Sequence, residues 1–227
     1  MKVNMKKLQT LFILPGILAL SLATVGCDLD AENPNALVES DLGDPAVAGA
    51  MANGALNTTS SGISCVLAPV SVASDEATWI GSRDAWGSLD KGEMSDVYNE
   101  FVDGQWNQIS EGRWMADRAV SALEAFKSEK TLSSNELLAR AYLYKGAVRV
   151  YIADWFENFV YSDKTEAGQP FGKGSMMQVY DQAIDAFKAG LDNTSDPDMK
   201  ARFSAMLART YFSKQLHTVI GNAGGFV

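Results

Sequence analysis

The sequence predicts a mainly α-helical fold in which tetratricopeptide-like helical hairpins are separated by long irregular loops. Three observations indicate it. Apolar residues recur at helical spacing through most of the chain after residue 93, and no strand pattern of comparable strength appears there. Capping and turn residues divide this region into segments of helical length. The sequence Leu-Ala-Arg-Ala-Tyr at 138–142 recurs as Leu-Ala-Arg-Thr-Tyr at 207–211, as in a repeated helix pair.

The apolar periodicity also places the individual helices. We expect helices at about 44–57, 94–102, 106–127, 136–155, 175–191 and 197–220. Residues 63–74 fit either a strand or a buried helix. Residues 75–93 are expected to form a loop, and 154–174 lose the helical period. Ser133 or Ser134 is expected to cap the helix that follows, and Ser133 with Glu136 fits a capping box.

The N-terminal segment has the order of a bacterial secretion signal. Lysines at positions 2, 6 and 7 precede an apolar run from residue 8 to 25 and then Gly26-Cys27. A cysteine at this point suggests a lipoprotein signal, after which Cys27 would carry diacylglycerol and acyl chains such as palmitate. An ordinary cleaved signal and an uncleaved anchor are the alternatives. We therefore divide the chain into a signal peptide (1–26), an acidic tether (27–43) and a helical domain (44–227).

Composition excludes some classes of function. The 227-residue chain has a formal net charge of -9, and loss of the signal-peptide lysines would make it more acidic. Such a protein repels phosphate backbones, so we do not expect a nucleic-acid partner. His217 is the only histidine, which disfavours a serine–histidine triad or a zinc site. No phosphate-binding loop is found. We expect no catalytic residues, no metal site and no cofactor.

Ligand binding is better supported by the residue pattern. The stretch from 75 to 93 combines Trp79 and Trp86 with Arg83 and Asp84 between them. Flat aromatic rings can stack on the apolar faces of sugars, while charged side chains bond to hydroxyl groups. These four residues are the predicted ligand contacts. The alternative is that the two tryptophans anchor an irregular segment in the core. Core positions are also expected for Trp106, Trp114 and Trp155.

Taken together, the order of features resembles the SusD/RagB family of nutrient-binding outer-membrane lipoproteins. The resemblance is carried by short motifs in sequence order: Asp-Leu-Asp at 28–30, Asn-Pro at 33–34, Asp-Glu at 75–76, Trp-Asn-Gln-Ile at 106–109, Ala-Asp-Arg-Ala-Val at 116–120, Ala-Arg-Ala-Tyr at 139–142 and Val-Tyr-Asp-Gln-Ala-Ile at 179–184. Members of the family are longer than this chain, so we expect it to correspond to their N-terminal part.

The resemblance implies a function, a location and a partner. It implies a protein on the outer membrane that is anchored by lipid, exposed at the cell surface, and not an enzyme. Such proteins bind an oligosaccharide or peptide nutrient and deliver it to a TonB-dependent transporter of the SusC type. Two alternatives remain open: a helical-repeat scaffold lipoprotein in envelope assembly, and a secreted carbohydrate-active enzyme.

Overall fold

The computed structural model describes residues 42–93, 96, 98–163 and 166–222. The predicted signal peptide, Cys27 and residues 27–41 of the predicted tether lie outside this part. The described residues form six helices and no strand, apart from one isolated antiparallel bridge between Val160 and Pro170. The prediction of a mainly α-helical fold is confirmed. No helix in the described ranges is long and apolar enough to cross a membrane.

The helices are numbered here in chain order. Their bounds are α1 Ala48–Ala73, α2 Asp84–Asp90, α3 Glu100–Ser128, α4 Asn135–Trp155, α5 Met177–Leu191 and α6 Pro197–Asn222. Short 3-10 turns at Pro45–Val47 and Lys173–Ser175 precede α1 and α5. Helices α3 and α4 form one hairpin, and α5 and α6 form a second. Helix α1 packs mainly on α3, and α4 packs on α5.

Helix α1 is longer than the sequence pattern predicts. The expected end near Asn57 is wrong, and so is the alternative of a strand at 63–74, because one helix continues to Ala73 with Pro69 inside it. The Thr58 hydroxyl donates a hydrogen bond to the carbonyl of Gly54 at 3.0 Å, within the helix. Thr59 and Gly62 are buried. The small polar residues that suggested a turn therefore form the face that packs on α3.

Two further boundaries differ from the prediction. The break expected near Gly104 is wrong, because α3 runs through this residue. Helix α3 begins at Glu100, after Asn99, whose side chain accepts a hydrogen bond from the Phe101 amide at 3.0 Å. Tyr98, which was expected on the apolar face of a helix, precedes α3 and is 91% exposed. Residues 84–90, expected to be loop, form the short helix α2.

The start of α4 is capped by one of the two predicted serines. The Ser134 hydroxyl accepts a hydrogen bond from the Glu136 amide at 3.2 Å. The capping box with Ser133 is wrong, because the Glu136 carboxylate accepts hydrogen bonds from the Thr194 hydroxyl at 2.5 Å and the Ser195 amide at 3.0 Å. Glu136 therefore links the start of α4 to the turn between α5 and α6.

This link should make stability depend on pH. The hydrogen bond from Thr194 is the main cause that lowers the pKa of Glu136 below its ordinary value of 4.5. A lowered pKa stabilises the fold above the ordinary value, and the contribution is lost as pH falls through the folded value. We expect Glu136→Gln to reduce the free energy of unfolding at pH 7 by less than about 1 kcal/mol, since the carboxylate is solvated. In urea unfolding, the free energies of unfolding of the wild type and Glu136→Gln should differ less at pH 3 than at pH 7. An equal difference at the two pH values would contradict the link.

The repeated five-residue sequence occupies equivalent places in the two hairpins. Residues 138–142 lie in α4 and 207–211 in α6, the second helix of each pair. The environments differ, because Leu138, Ala139 and Ala141 are buried whereas Tyr211 is 49% exposed. Among the described residues, helix α6 packs chiefly on α5, and one of its sides is left uncovered. Its exposed large apolar residues are Tyr211, Phe212, Leu216 and Val219.

Candidate ligand-binding cavity

A cavity of about 530 Å³ lies where the C-terminal end of α4 meets the start of α5 and the C-terminal part of α6. We call it the Trp155 cavity. Its lining includes Trp155, Phe156, Met177 and Tyr180 together with charged residues. This volume lies within the range of small-molecule sites, which are typically lined by apolar and aromatic groups with a few polar groups.

The chain direction at the end of α4 shapes this cavity. Helix α4 stops at Trp155 because Phe156 adopts an extended conformation. The following segment folds back on itself, with the Phe171 amide donating to the Phe159 carbonyl at 2.9 Å. The Asn158 side chain accepts from the Gly172 amide at 2.8 Å, and Gly172 has a φ of 74°, which favours glycine. The segment then enters α5 beside the cavity.

One wall of the cavity is held by a partly buried polar cluster. Asp154 accepts a hydrogen bond from the Tyr180 hydroxyl at 2.6 Å and from Arg209 at 2.7 Å. These contacts join α4, α5 and α6. Burial, and then the hydrogen bond to Asp154, raise the pKa of Tyr180, so its hydroxyl stays protonated as a donor. The His217 ring lies 5.7 Å from the Tyr180 ring. The wall is therefore preorganised rather than assembled by a ligand.

The rim of the cavity carries the groups that a ligand could reach. Trp155 is 42% exposed, although it ends a helix whose interior is well packed. Glu157 and Lys173 form an exposed ion pair at 3.4 Å. An exposed ion pair contributes little to stability, so these charges can exchange partners with a ligand at low cost. An aromatic surface beside exchangeable charges is suited to a ligand with apolar faces and hydroxyl groups.

The four sequence-predicted contacts lie elsewhere and form a different arrangement. Trp86 stacks on Phe101 of α3, with ring centroids 4.3 Å apart, and Arg83 lies 4.9 Å from the same ring. Arg83 also pairs with Glu100 at 2.5 Å. Asp84 lies exposed in the first turn of α2. These contacts attach α2 and the residue before it to the start of α3.

Trp79 is attached to the other end of α2. Its amide donates to the Asp90 carboxylate at 3.0 Å, and its indole lies against Gly87. Trp79 and Trp86 are half-buried, while Arg83 and Asp84 are exposed. The structure thus brings the four residues into one segment, with both tryptophans packed as anchors would be. A ligand site on this segment stays a prediction.

The remaining tryptophans show where sequence reasoning missed a candidate. Trp106 is half-buried and stacks on Phe159 at 4.4 Å, and the half-buried Trp114 donates to Asp163 at 2.6 Å. The expected core position of Trp155 is wrong, because this residue is exposed. One sequence feature could have indicated this exposure. Trp155 lies where the helical period ends and aromatic residues continue among polar ones.

No protein-family model, curated protein or solved structure matches this chain. The resemblance to SusD/RagB lipoproteins therefore rests on the sequence motifs given above. The helical fold and the Trp155 cavity are properties of the chain itself.

Proposed function

We propose that this chain is a lipid-anchored cell-surface protein that binds a nutrient, in particular an oligosaccharide, and delivers it to a TonB-dependent outer-membrane transporter. The lipid would be attached at Cys27, which lies outside the described residues. The motif order of the sequence supports the class of protein. The Trp155 cavity supports the class of ligand.

The exposed ring of Trp155 is the single observation that carries the ligand assignment. Tryptophan is highly buried on average, yet Trp155 is 42% exposed and lines the cavity. Sugars present apolar C–H faces that stack on such a ring. Glu157 and Lys173 then supply an acceptor and a donor for hydroxyl groups. A preformed wall behind them limits the entropy lost on binding.

The proposal predicts binding without cleavage. Affinity electrophoresis of the protein without its signal peptide and lipidated cysteine, residues 28–227, should show retardation by at least one polysaccharide, with no release of reducing ends on incubation. Retention without hydrolysis supports a binding protein. Hydrolysis would instead favour the alternative of a carbohydrate-active enzyme. Binding of peptides but of no glycan would show that the ligand class is wrong.

The anchor is tested separately from the ligand. In cells that are fed labelled fatty acid, the wild-type chain should carry label and Cys27→Ser should not. Several acyl chains hold a protein stably at a membrane, at about 0.8 kcal/mol for each buried CH₂ group. We therefore expect the wild-type protein in the membrane fraction. Label that persists on Cys27→Ser, or none on the wild type, would contradict lipidation at this cysteine.

A second candidate function is a scaffold lipoprotein that contacts other envelope proteins. The observation in its favour is the uncovered side of α6, with Phe212 69% and Val219 54% exposed. Grouped exposed apolar residues often mark protein contacts. The two candidates differ in their partner: a TonB-dependent barrel for the first, and an assembly complex for the second.

A further inference from the structure

A second cavity, separate from the Trp155 cavity, lies between α4 and α5 and has a volume of about 480 Å³. We call it the Lys145 cavity. Its lining includes Lys145, Arg149, Tyr161, Gln182 and Asp185. Unlike the Trp155 cavity, it is built around cationic side chains in a protein whose net charge is strongly negative.

The cations of this region converge on one carboxylate. Asp117 lies 2.6 Å from Arg149, 3.3 Å from Lys145 and 3.3 Å from Arg113. The side chains of Arg149 and Arg113 are only 6% and 9% exposed. One carboxylate therefore faces three positive charges, two of them well buried. Burial of charge without full pairing is unfavourable, so a further anion would relieve it.

Buried polar atoms of the cavity lining lack partners. The Nε atom of Arg149, the hydroxyl of Tyr161 and the Oε1 atom of Gln182 are buried and make no hydrogen bond of good geometry. Such groups lose hydration without compensation, so few are expected in a folded protein. Arg149 Nε and the Tyr161 hydroxyl can donate, whereas Gln182 Oε1 is an acceptor. The lining thus contains two buried donors without a hydrogen bond of good geometry.

Tyr161 packs against the two buried arginines. Its ring lies 5.0 Å from the guanidinium of Arg113 and 5.2 Å from that of Arg149. Burial raises the pKa of Tyr161, although the charge of Arg149 acts in the opposite direction. The hydroxyl is therefore protonated at neutral pH, where it can donate to an anion.

Carboxylates near the opening limit what can enter. Asp185 is exposed and lines the cavity. Glu124 accepts a hydrogen bond at 2.9 Å from Tyr142, which is a lining residue. Arg149 is well buried, and Lys145 is 27% exposed. A large polyanion would meet the exposed carboxylate of Asp185, so the cavity favours a small anionic group.

We propose that the Lys145 cavity binds a small oxyanion, such as a carboxylate, sulfate or phosphate group, through Lys145, Arg149 and Tyr161. An oxyanion that is free in solution and one that is a substituent on a sugar present the same oxygens to these donors. Charge-assisted hydrogen bonds to such oxygens are the strong ones. The inference does not depend on the function proposed for the Trp155 cavity.

The test is titration calorimetry of the mature protein with sodium sulfate, sodium phosphate, glucuronate and uncharged glucose at constant ionic strength. We expect at least one oxyanion to bind saturably to the Lys145 cavity. We expect no binding of glucose to this cavity. Lys145→Gln should weaken this binding by about tenfold or more, because a charge-assisted hydrogen bond is lost. Tyr161→Phe should weaken it less. The matched control, Lys91→Gln, removes an exposed lysine on another part of the chain and should bind as the wild type does.

The source of the anion is read from the same titrations. Tighter binding of glucuronate than of either inorganic ion indicates an acidic sugar, and equal or weaker binding indicates a free ion; either result supports the site. Lys145 is 27% exposed, so Lys145→Gln is expected to fold, and thermal unfolding of each variant verifies this. Absence of saturable binding by every oxyanion would overturn the proposal. An equal loss in Lys91→Gln would do the same, since it would indicate general charge screening.

Discussion

Replacing Trp155 with alanine is expected to weaken glycan binding by about thirtyfold or more while the protein remains folded. Truncation of an aromatic residue that is a hot spot for binding typically costs about 2 kcal/mol or more of binding free energy. Trp155 is 42% exposed and ends α4, so its removal leaves little cavity in the core. Trp155→Phe should keep much of the affinity, because a flat ring remains. Affinity electrophoresis on the same polysaccharide compares the three proteins.

The competing assignment of the glycan-binding site is the segment 79–86, whose ligand contacts were predicted from the sequence. The double variant Trp79→Ala, Trp86→Ala removes both indoles there. If the glycan binds in the Trp155 cavity, this double variant should still bind it. Because both indoles are half-buried, thermal unfolding must show that the double variant is folded at the temperature used. If the folded double variant loses retention and Trp155→Ala keeps it, the ligand site lies on the segment predicted from sequence, and the cavity assignment is wrong.

The second large effect concerns the contact between α1 and α3. A Cβ atom at Gly112 would lie 2.9 Å from the Thr58 carbonyl oxygen and 3.1 Å from the Thr59 Cα atom. Both neighbours are backbone atoms, so they cannot rotate away, and the two helices would have to separate. We expect Gly112→Ala to lower the free energy of unfolding by about 1–3 kcal/mol, the usual penalty for overpacking.

Gly104 is the matched control, because it lies in the same helix and receives the same substitution. A Cβ atom there meets no heavy atom of another described element within 4 Å. Alanine in a helix interior is favoured over glycine, so Gly104→Ala should raise the free energy of unfolding by about 0.5–1 kcal/mol. Urea unfolding of both variants should therefore give changes of opposite sign. Stabilisation by both would show that α1 and α3 are not in close contact at Gly112.

The sequence was informative where a helix has a continuous apolar stripe. Helices α4, α5 and α6 lie close to their predicted ranges, because the buried positions of each recur at helical spacing. Residues 63–73 form the buried helix that was one of the two alternatives for 63–74, but the continuation of α1 through 58–62 escaped prediction for a physical reason. Its contact with α3 uses small residues such as Gly62, which carry no hydrophobic signal and are common in turns.

The candidate site could be predicted only in part. The sequence marked residues 154–174 as aromatic and irregular, but it placed Trp155 in the core because this residue continues the apolar pattern of α4. Whether the last residue of a helix is covered depends on how the next segment folds back, and this is a tertiary property. The convergence of Arg113, Lys145 and Arg149 on Asp117 was likewise invisible, since it joins two helices.

Isolation of the intact protein with its partner tests the proposed function most directly. A C-terminally tagged chain expressed in its own cells should be extracted from the outer membrane with mild detergent, purified, and its partners identified by mass spectrometry. The account predicts a TonB-dependent barrel in near-equal amount. Recovery of an envelope-assembly complex without any TonB-dependent barrel would contradict it.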